Sequence, residues 1–132
     1  MSDQRHILVV DDEVLAAMAM ENVLQRRGFR VSLAGDGQEA WDIWQRDGAD
    51  AVVTDLKMPR MTGDELAARL RIAAPRLPVI VASGYLSEEV EHRLRVEIDG
   101  PIEIFTKPLD LAGMLRTLKS MLGSEAGTAP ST

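Results

Sequence analysis

The sequence predicts an α/β fold with a doubly wound parallel sheet. Three observations lead to that prediction. Strand-like and helix-like segments alternate five times along 132 residues. The strand-like segments are short apolar runs, as expected for parallel strands that helices cover on both faces. Acidic residues directly follow two of these runs, where ligand sites of such sheets lie. The length favours a single domain, which we expect at residues 1–122.

Each predicted element follows from local spacing. Apolar runs bounded by turn residues predict strands at 7–10, 30–34, 50–54, 78–82 and 102–105. Helical spacing of apolar residues predicts helices at 14–27, 38–46, 64–73, 87–96 and 109–122. Gly28, Gly48 and Pro75 end the first three helices, and Ser87 is a candidate N-cap for the fourth. The small, polar segment 123–132 is predicted to be a disordered tail or the stub of a linker.

The order of the strands follows from how uniformly apolar they are. Strands one, three and four are apolar throughout, which is typical of central strands. Strands two and five alternate polar and apolar residues, which indicates edges. Right-handed crossovers then favour the order 2-1-3-4-5. In that order strands one and three are neighbours.

This order brings three carboxylates together. Asp11 and Asp12 follow strand one, and Asp55 follows strand three. Like charges this close repel unless a cation lies among them, and hard oxygen ligands suit Mg²⁺. Ser83 ends strand four and Lys107 follows strand five, at the same edge. Carboxylates, a hydroxyl and an ammonium suit phosphoryl transfer to a carboxylate, and Asp55 is the best candidate for the nucleophile because it stands alone.

Composition narrows the classes of partner. The net charge is −6, whereas a nucleic-acid-binding domain usually has the opposite sign, so no direct contact with nucleic acid is expected. No apolar run approaches the length that spans a membrane. Cysteine is absent, which excludes a disulfide framework and thiolate metal sites and fits a cytoplasmic protein. Trp41 and Trp44 are predicted to pack on the core, and His6 and His92 to lie at the surface.

Four segments together resemble the receiver domain of two-component response regulators (the CheY-like superfamily), over about residues 7–122. Each segment alone is a weak signal, but their order and spacing are specific to the family. The segments are Ile7-Leu8-Val9-Val10-Asp11-Asp12-Glu13, Thr54-Asp55-Leu56-Lys57-Met58-Pro59 with Gly63, Ala82-Ser83-Gly84-Tyr85 and Lys107-Pro108. The resemblance implies the (βα)5 flavodoxin-like sandwich.

The resemblance also implies a role for each metal-site residue. Asp55 matches the phosphoacceptor, and Asp12 matches a direct Mg²⁺ ligand. Asp11 matches a ligand that acts through water, and the backbone carbonyl of Lys57 matches the third protein ligand. The side chain of Lys57 lies where the family tunes the lifetime of the acyl phosphate.

Other positions match the residues that respond to the phosphoryl group. Ser83 matches the hydroxyl that binds it, and Lys107 matches the lysine that pairs with it, with a cis bond to Pro108. One position departs from the family: Ile104 stands where many members carry an aromatic switch residue. Tyr85 is a candidate to take over part of that role and to tune the acyl phosphate.

The implied function is a switch that accepts a phosphoryl group from a sensor histidine kinase or a histidine phosphotransfer protein. Phosphorylation would change contacts with a downstream protein at the surface of the fourth helix, fifth strand and fifth helix. The protein would be a monomer or weak homodimer and would catalyse only its own phosphorylation and dephosphorylation. The alternative is an interaction module that keeps the fold and is independent of phosphorylation.

Two unrelated classes fit less well. A phosphohydrolase of the haloacid dehalogenase type expects a second acid two residues after the nucleophile, and position 57 is lysine. A flavin binder needs a phosphate-binding loop after strand one, where Asp11, Asp12 and Glu13 would repel phosphate.

Overall fold

Five parallel strands form one sheet in the order β2-β1-β3-β4-β5, which confirms the predicted order. The structure is a computed structural model that describes residues 4–58, 60–98 and 100–126. The strands are β1 (His6–Val10), β2 (Arg30–Ala34), β3 (Ala51–Asp55), β4 (Val79–Ser83) and β5 (Ile102–Thr106). Each lies within one residue of its predicted bounds at either end. The fold is therefore the flavodoxin-like sandwich that the sequence predicts.

Helices cover both faces of the sheet. They are α1 (Val14–Arg26), α2 (Gly37–Asp47), α3 (Gly63–Ala73), α4 (Glu88–His92) and α5 (Leu111–Ala126). A π-helical segment, Arg93–Glu97, continues α4. Among the described residues, no helix is both long and apolar enough to cross a membrane.

Alternate residues of each central strand face opposite layers, since successive side chains of a strand point to opposite faces. Leu8 and Val10 of β1 belong to the core beneath α2, α3 and the π-helical segment. Ile7 and Val9 belong to the core beneath α1 and α5. This double burial explains why β1, β3 and β4 read as continuous apolar runs. Trp41 and Trp44 pack against the first core, as predicted.

The fourth helix differs from its prediction. Ser87 caps it as expected, because its hydroxyl accepts a hydrogen bond from the Val90 N–H at 3.2 Å. Only Glu88–His92 is α-helical, and the wider π turn follows. The Ile98 N–H donates to the Arg93 carbonyl at 3.2 Å, a bond across five residues. Side-chain periodicity does not report this backbone pattern, so the sequence predicted one uniform helix.

The fifth helix is shifted toward the carboxyl end of the chain. It begins after Asp110, whose carbonyl accepts from the Met114 N–H at 2.9 Å. It ends at Ala126, within the segment predicted to be a tail. The remainder of the predicted tail, 127–132, lies outside the described residues.

The prediction for His6 was wrong, whereas His92 is exposed as expected. His6 begins β1 and is 3% exposed. Its Nε2 lies 2.7 Å from the Ser32 hydroxyl, and its backbone N–H donates to Asp50 Oδ2 at 2.7 Å. Burial lowers the pKa of His6, with the nearby charge of Arg30 acting in the same direction. Both partners come from other segments of the chain, which local sequence does not reveal.

Candidate functional site

Three carboxylates meet at the carboxyl ends of β1 and β3, as predicted. The register pairs Val10 with Thr54, so the residues that follow lie side by side. One oxygen from each of Asp11, Asp12 and Asp55 lies within 4.8 Å of the others. Asp12 is exposed, and the other two are partly buried.

Backbone N–H groups orient two of these carboxylates. The Glu13 N–H donates to Asp11 Oδ1 at 2.9 Å, and the Leu56 N–H donates to Asp55 Oδ1 at 2.8 Å. Asp55 Oδ2 lies 3.3 Å from the Lys107 ammonium. One oxygen of Asp55 is therefore held by the backbone, and the other faces the cation.

The electrostatics of Asp11 are compatible with a bound cation. Burial raises the pKa of Asp11, and the charges of Asp55 and Asp12 act in the same direction. The Glu13 N–H and Lys107 oppose that shift. A carboxylate whose ionised form is disfavoured by burial and like charges is stabilised by a bound cation.

The donor set fits Mg²⁺. Carboxylate and carbonyl oxygens are its usual protein ligands, and it keeps several water or phosphate oxygens. The loop after β3 carries Lys57, whose backbone carbonyl is the remaining candidate ligand. A cleft of about 500 Å³ adjoins the carboxylates and leaves room for a phosphoryl group. The cleft is lined by Asp12, Glu13, Asp55, Lys57, Ser83, Gly84, Tyr85 and Lys107.

Ser83 and Lys107 lie opposite the carboxylates. Ser83 ends β4, is 2% exposed and pairs with Thr106 of β5. The Lys107 N–H donates to the Ser83 carbonyl at 2.8 Å, which ties the two strand ends together. The peptide bond between Lys107 and Pro108 is cis, as the family resemblance implied.

The Ser83 hydroxyl is engaged with its own loop. It donates to the Tyr85 carbonyl at 2.5 Å and accepts from the Tyr85 N–H at 3.2 Å. A ligand in the cleft that takes this hydroxyl would therefore release the chain leading into α4. The Tyr85 side chain is 70% exposed, whereas Ile104 packs partly buried against the core.

One contact at the site is visible only in the structure. The start of α3 lies directly against the backbone of Asp55, because a Cβ at Gly63 would lie 2.2 Å from the Asp55 carbonyl oxygen. The Gly63 N–H also donates to the Leu56 carbonyl at 2.7 Å. Gly63 was noted in the sequence as part of a motif, but its packing role required the tertiary structure. The start of α3 thereby supports the end of β3, which carries Asp55.

Curated relatives align over most of this chain. It is 34% identical over 116 residues to the response regulator MprA of Mycolicibacterium vanbaalenii, an alignment that covers 88% of this chain and 49% of that protein. Over the same length it is 33% identical to the response regulator MprA of Mycobacterium leprae, covering 88% and 50%. The chain thus spans about half the length of the curated relatives it matches.

Solved structures agree on the fold. A CheY-like receiver domain protein from Methanospirillum hungatei superposes with a TM-score of 0.86 at 23% identity, covering 96% of this chain and all (100%) of that one. The chemotaxis protein CheY4 of Vibrio cholerae gives 0.79 at 27% identity, covering 90% and 99%. The family model described as the response regulator receiver domain matches residues 7–119. The chain therefore belongs to the response regulator receiver domain family of two-component systems.

Proposed function

We propose that the chain accepts a phosphoryl group on Asp55 from a phosphorylated histidine, with Mg²⁺ held by the carboxylate cluster and the Lys57 carbonyl. The observation that carries the proposal is the position of Asp55. It lies within 4.8 Å of two further carboxylates and 3.3 Å from the Lys107 ammonium, beside an open cleft. When bound, the metal ion neutralises charge on the phosphoryl oxygens.

In the transfer step Asp55 Oδ2 is the nucleophile, because Oδ1 is held by the Leu56 N–H. A bond forms between Oδ2 and phosphorus as the phosphorus–nitrogen bond of the phosphohistidine breaks, and the departing imidazole takes up a proton from solvent. Lys107 then pairs with the new phosphoryl oxygens instead of the free carboxylate. Hydrolysis of the acyl phosphate by water releases inorganic phosphate and restores Asp55, so the chain acts only on itself.

Ser83 links phosphorylation to the output surface. In the proposed switch its hydroxyl leaves the Tyr85 carbonyl and donates to a phosphoryl oxygen. The loop between Ser83 and α4 is then free to rearrange, and β5 follows through Lys107. The face formed by α4, β5 and α5 thereby changes between two states and regulates contact with a downstream protein.

The exposed apolar residues of α1 support a protein phosphodonor. Val14, Leu15 and Met18 are 70%, 81% and 51% exposed, and α1 begins directly beside the carboxylates. Such a face suits the helical surface of a sensor histidine kinase or histidine phosphotransfer protein that presents its histidine over the cleft. The net charge of −6 does not favour direct binding to nucleic acid. The proposed compartment is the cytoplasm, with the receiver domain at 1–122 as a monomer or weak homodimer.

The second candidate is an interaction module that works without phosphorylation. The internal hydrogen bond of Ser83 and the aliphatic Ile104 favour it, because both are consistent with a loop that does not switch.

The first test is intact mass after incubation with acetyl phosphate and Mg²⁺. We expect the wild type to gain one phosphoryl group and Asp55→Asn to gain none. Asp47→Asn removes an exposed carboxylate elsewhere and should label like the wild type. Labelling of Asp55→Asn at the wild-type level would refute the assignment. No labelling of the wild type, together with no Mg²⁺ binding, would support the interaction module.

The donor surface is tested separately. Leu15→Lys should slow transfer from a phosphorylated histidine phosphotransfer protein about tenfold, since it places a charge in the apolar contact. Labelling by acetyl phosphate should be unchanged, because that small donor needs no docking surface. An equal fall in the transfer rate with both donors would show that the substitution disturbs the site itself.

A further inference from the structure

The loop that joins β3 to α3 carries the Lys57 carbonyl, the one proposed metal ligand that is not a carboxylate. A side chain can rotate toward an ion, but a backbone carbonyl is directed only by the chain on either side of it. How this loop is held therefore bears directly on metal binding.

The loop is anchored to the core at two methionines. Met58 and Met61 are 8% and 6% exposed and belong to the core beneath α2 and α3. At its end, the Gly63 N–H donates to the Leu56 carbonyl at 2.7 Å. Between the two methionines, Arg60 is exposed.

Arg60 is held by an ion pair to the start of α2. Its Nε and Nη2 lie 3.1 and 2.7 Å from Asp36 Oδ2. The other oxygen, Asp36 Oδ1, accepts from the Glu39 N–H at 2.8 Å and so caps α2. Asp36 is thus fixed to a helix on one side and to the loop on the other. The Glu39 N–H and the Arg60 guanidinium together hold the pKa of Asp36 low, so the pair is ionised at neutral pH.

The same helix start limits the loop from the opposite direction. A Cβ at Gly37 would lie 2.4 Å from the Met61 carbonyl oxygen, so α2 and the loop are already in close contact. The loop has no room to move toward α2, and the ion pair opposes movement away from it. The positions of Arg60 and Met61 relative to α2 are therefore defined in both directions.

Arg60 has an unfavourable backbone conformation. Its φ is +69°, in the left-handed region that favours glycine. The Arg60 side chain is 63% exposed, and ion pairs of this kind add little to stability. An arginine where glycine would be less strained, held by a pair of small stabilising value, points to a role other than stability.

We propose that the Asp36–Arg60 pair positions the metal-binding loop: it holds the chain against α2 and thereby keeps the Lys57 carbonyl at the place that Mg²⁺ binding requires. Asp36 and Arg60 are positioning residues and do not touch the ion. The inference rests on the proposed role of the Lys57 carbonyl.

The test is a Mg²⁺ titration of the purified chain. Binding is measured by calorimetry and, independently, by the NMR chemical shift of the Lys57 amide. Arg60→Gly removes the pair and relieves the backbone strain, and Asp36→Asn removes the charge while keeping an N-cap. Each should weaken Mg²⁺ binding by about three- to fivefold, the most that an exposed ion pair of this kind can supply. The double variant should be no weaker than either single one, because both substitutions break the same pair.

Two controls separate positioning from stability. Glu91→Gln breaks the exposed pair between Glu91 of α4 and Arg95 of the π-helical segment and should leave the Mg²⁺ affinity unchanged. Arg60→Lys keeps the charge without the planar fork and should give an intermediate affinity. The urea midpoints of Arg60→Gly and the wild type should be similar.

The outcomes are distinct. Wild-type affinity in both Arg60→Gly and Asp36→Asn would overturn the positioning role while leaving the metal site intact. Affinity that falls only in parallel with the urea midpoint would also overturn it, since the pair would then be structural. A wild type that binds no Mg²⁺ would refute the metal site and with it the proposed function.

Discussion

The carboxyl ends and the amino ends of the strands, here called the carboxyl edge and the amino edge of the sheet, use polar residues in opposite ways. At the carboxyl edge, Asp11, Asp12 and Asp55 bring three like charges within 4.8 Å of one another. At the amino edge, His6 and Arg71 are 3% and 8% exposed and lie among hydrogen-bond partners. One edge collects charges that repel, and the other buries polar groups that are bonded within the protein.

Arg71 illustrates the amino edge. It lies near the end of α3, and its Nη1 donates to the carbonyls of Ala74, Pro75 and Leu77 at 3.2, 3.0 and 2.7 Å. Its Nη2 donates to the Pro101 carbonyl at 2.9 Å. This one side chain joins α3, the entry to β4 and the entry to β5.

The difference indicates that polar residues at the amino edge contribute to stability, whereas those at the carboxyl edge form a binding site. Buried polar groups that are bonded internally contribute to stability and do not need a ligand. Like charges at the carboxyl edge destabilise the folded protein when no cation is bound. Binding sites commonly lower stability in this way. Substitutions at the amino edge should therefore lower stability without changing the site. Removal of a charge at the carboxyl edge should instead weaken metal binding while making the metal-free protein slightly more stable.

The largest effect is expected for Arg71→Met. Four carbonyls lose their shared donor, so we expect the free energy of unfolding to fall by about 3 kcal/mol, measured by urea denaturation. Mg²⁺ affinity of the folded protein should stay at the wild-type value. Arg69→Met is the matched control: Arg69 lies in the same helix, with its guanidinium 5.6 Å from the centre of the partly buried Trp41 ring. It should cost about 1 kcal/mol or less, and an equal loss in both variants would contradict the role of Arg71.

A smaller effect is expected when His6 is protonated. Burial holds the pKa of His6 in the folded protein below the ordinary value for histidine, so the unfolded chain binds the proton more tightly. Stability is therefore full above about pH 6.5 and is lost as the pH falls toward the folded pKa. His6→Gln should flatten this pH dependence, while costing about 1 kcal/mol at pH 7.5 through the altered hydrogen bond to Ser32. A wild-type slope in His6→Gln would contradict the assignment.

The smallest change in stability, and the one of opposite sign, is expected for Asp11→Asn. Without metal, removing one of three adjacent charges should raise the free energy of unfolding by a few tenths of a kcal/mol to about 1 kcal/mol. The same substitution should weaken Mg²⁺ binding by at least about tenfold. Urea denaturation with and without Mg²⁺ measures both effects. If Asp11→Asn destabilised the metal-free protein, the contrast between the two edges would fail.

The local sequence pattern was sufficient to predict the cluster of carboxylates at the carboxyl edge. Uniformly apolar strands predicted the strand order, and that order predicted the meeting of Asp11, Asp12 and Asp55. Local pattern was insufficient for Arg69 and Arg71, which look alike in the sequence. Two residues turn a helix by about 200°, so one arginine lies over Trp41 and the other enters the core edge. The same holds for Asp36 and Arg60, which are 24 residues apart in the chain.

The layers, the strand order and the edge at which the acidic residues gather follow from the order of residues along the chain, because apolar periodicity reports which faces are buried and parallel strands end together. The burial of His6 and Arg71, the π-helical segment after α4 and the pairing of Asp36 with Arg60 become visible only in the folded structure. These depend on which distant backbone groups and side chains come into hydrogen-bonding distance, and that geometry exists only once the helices are packed on the sheet.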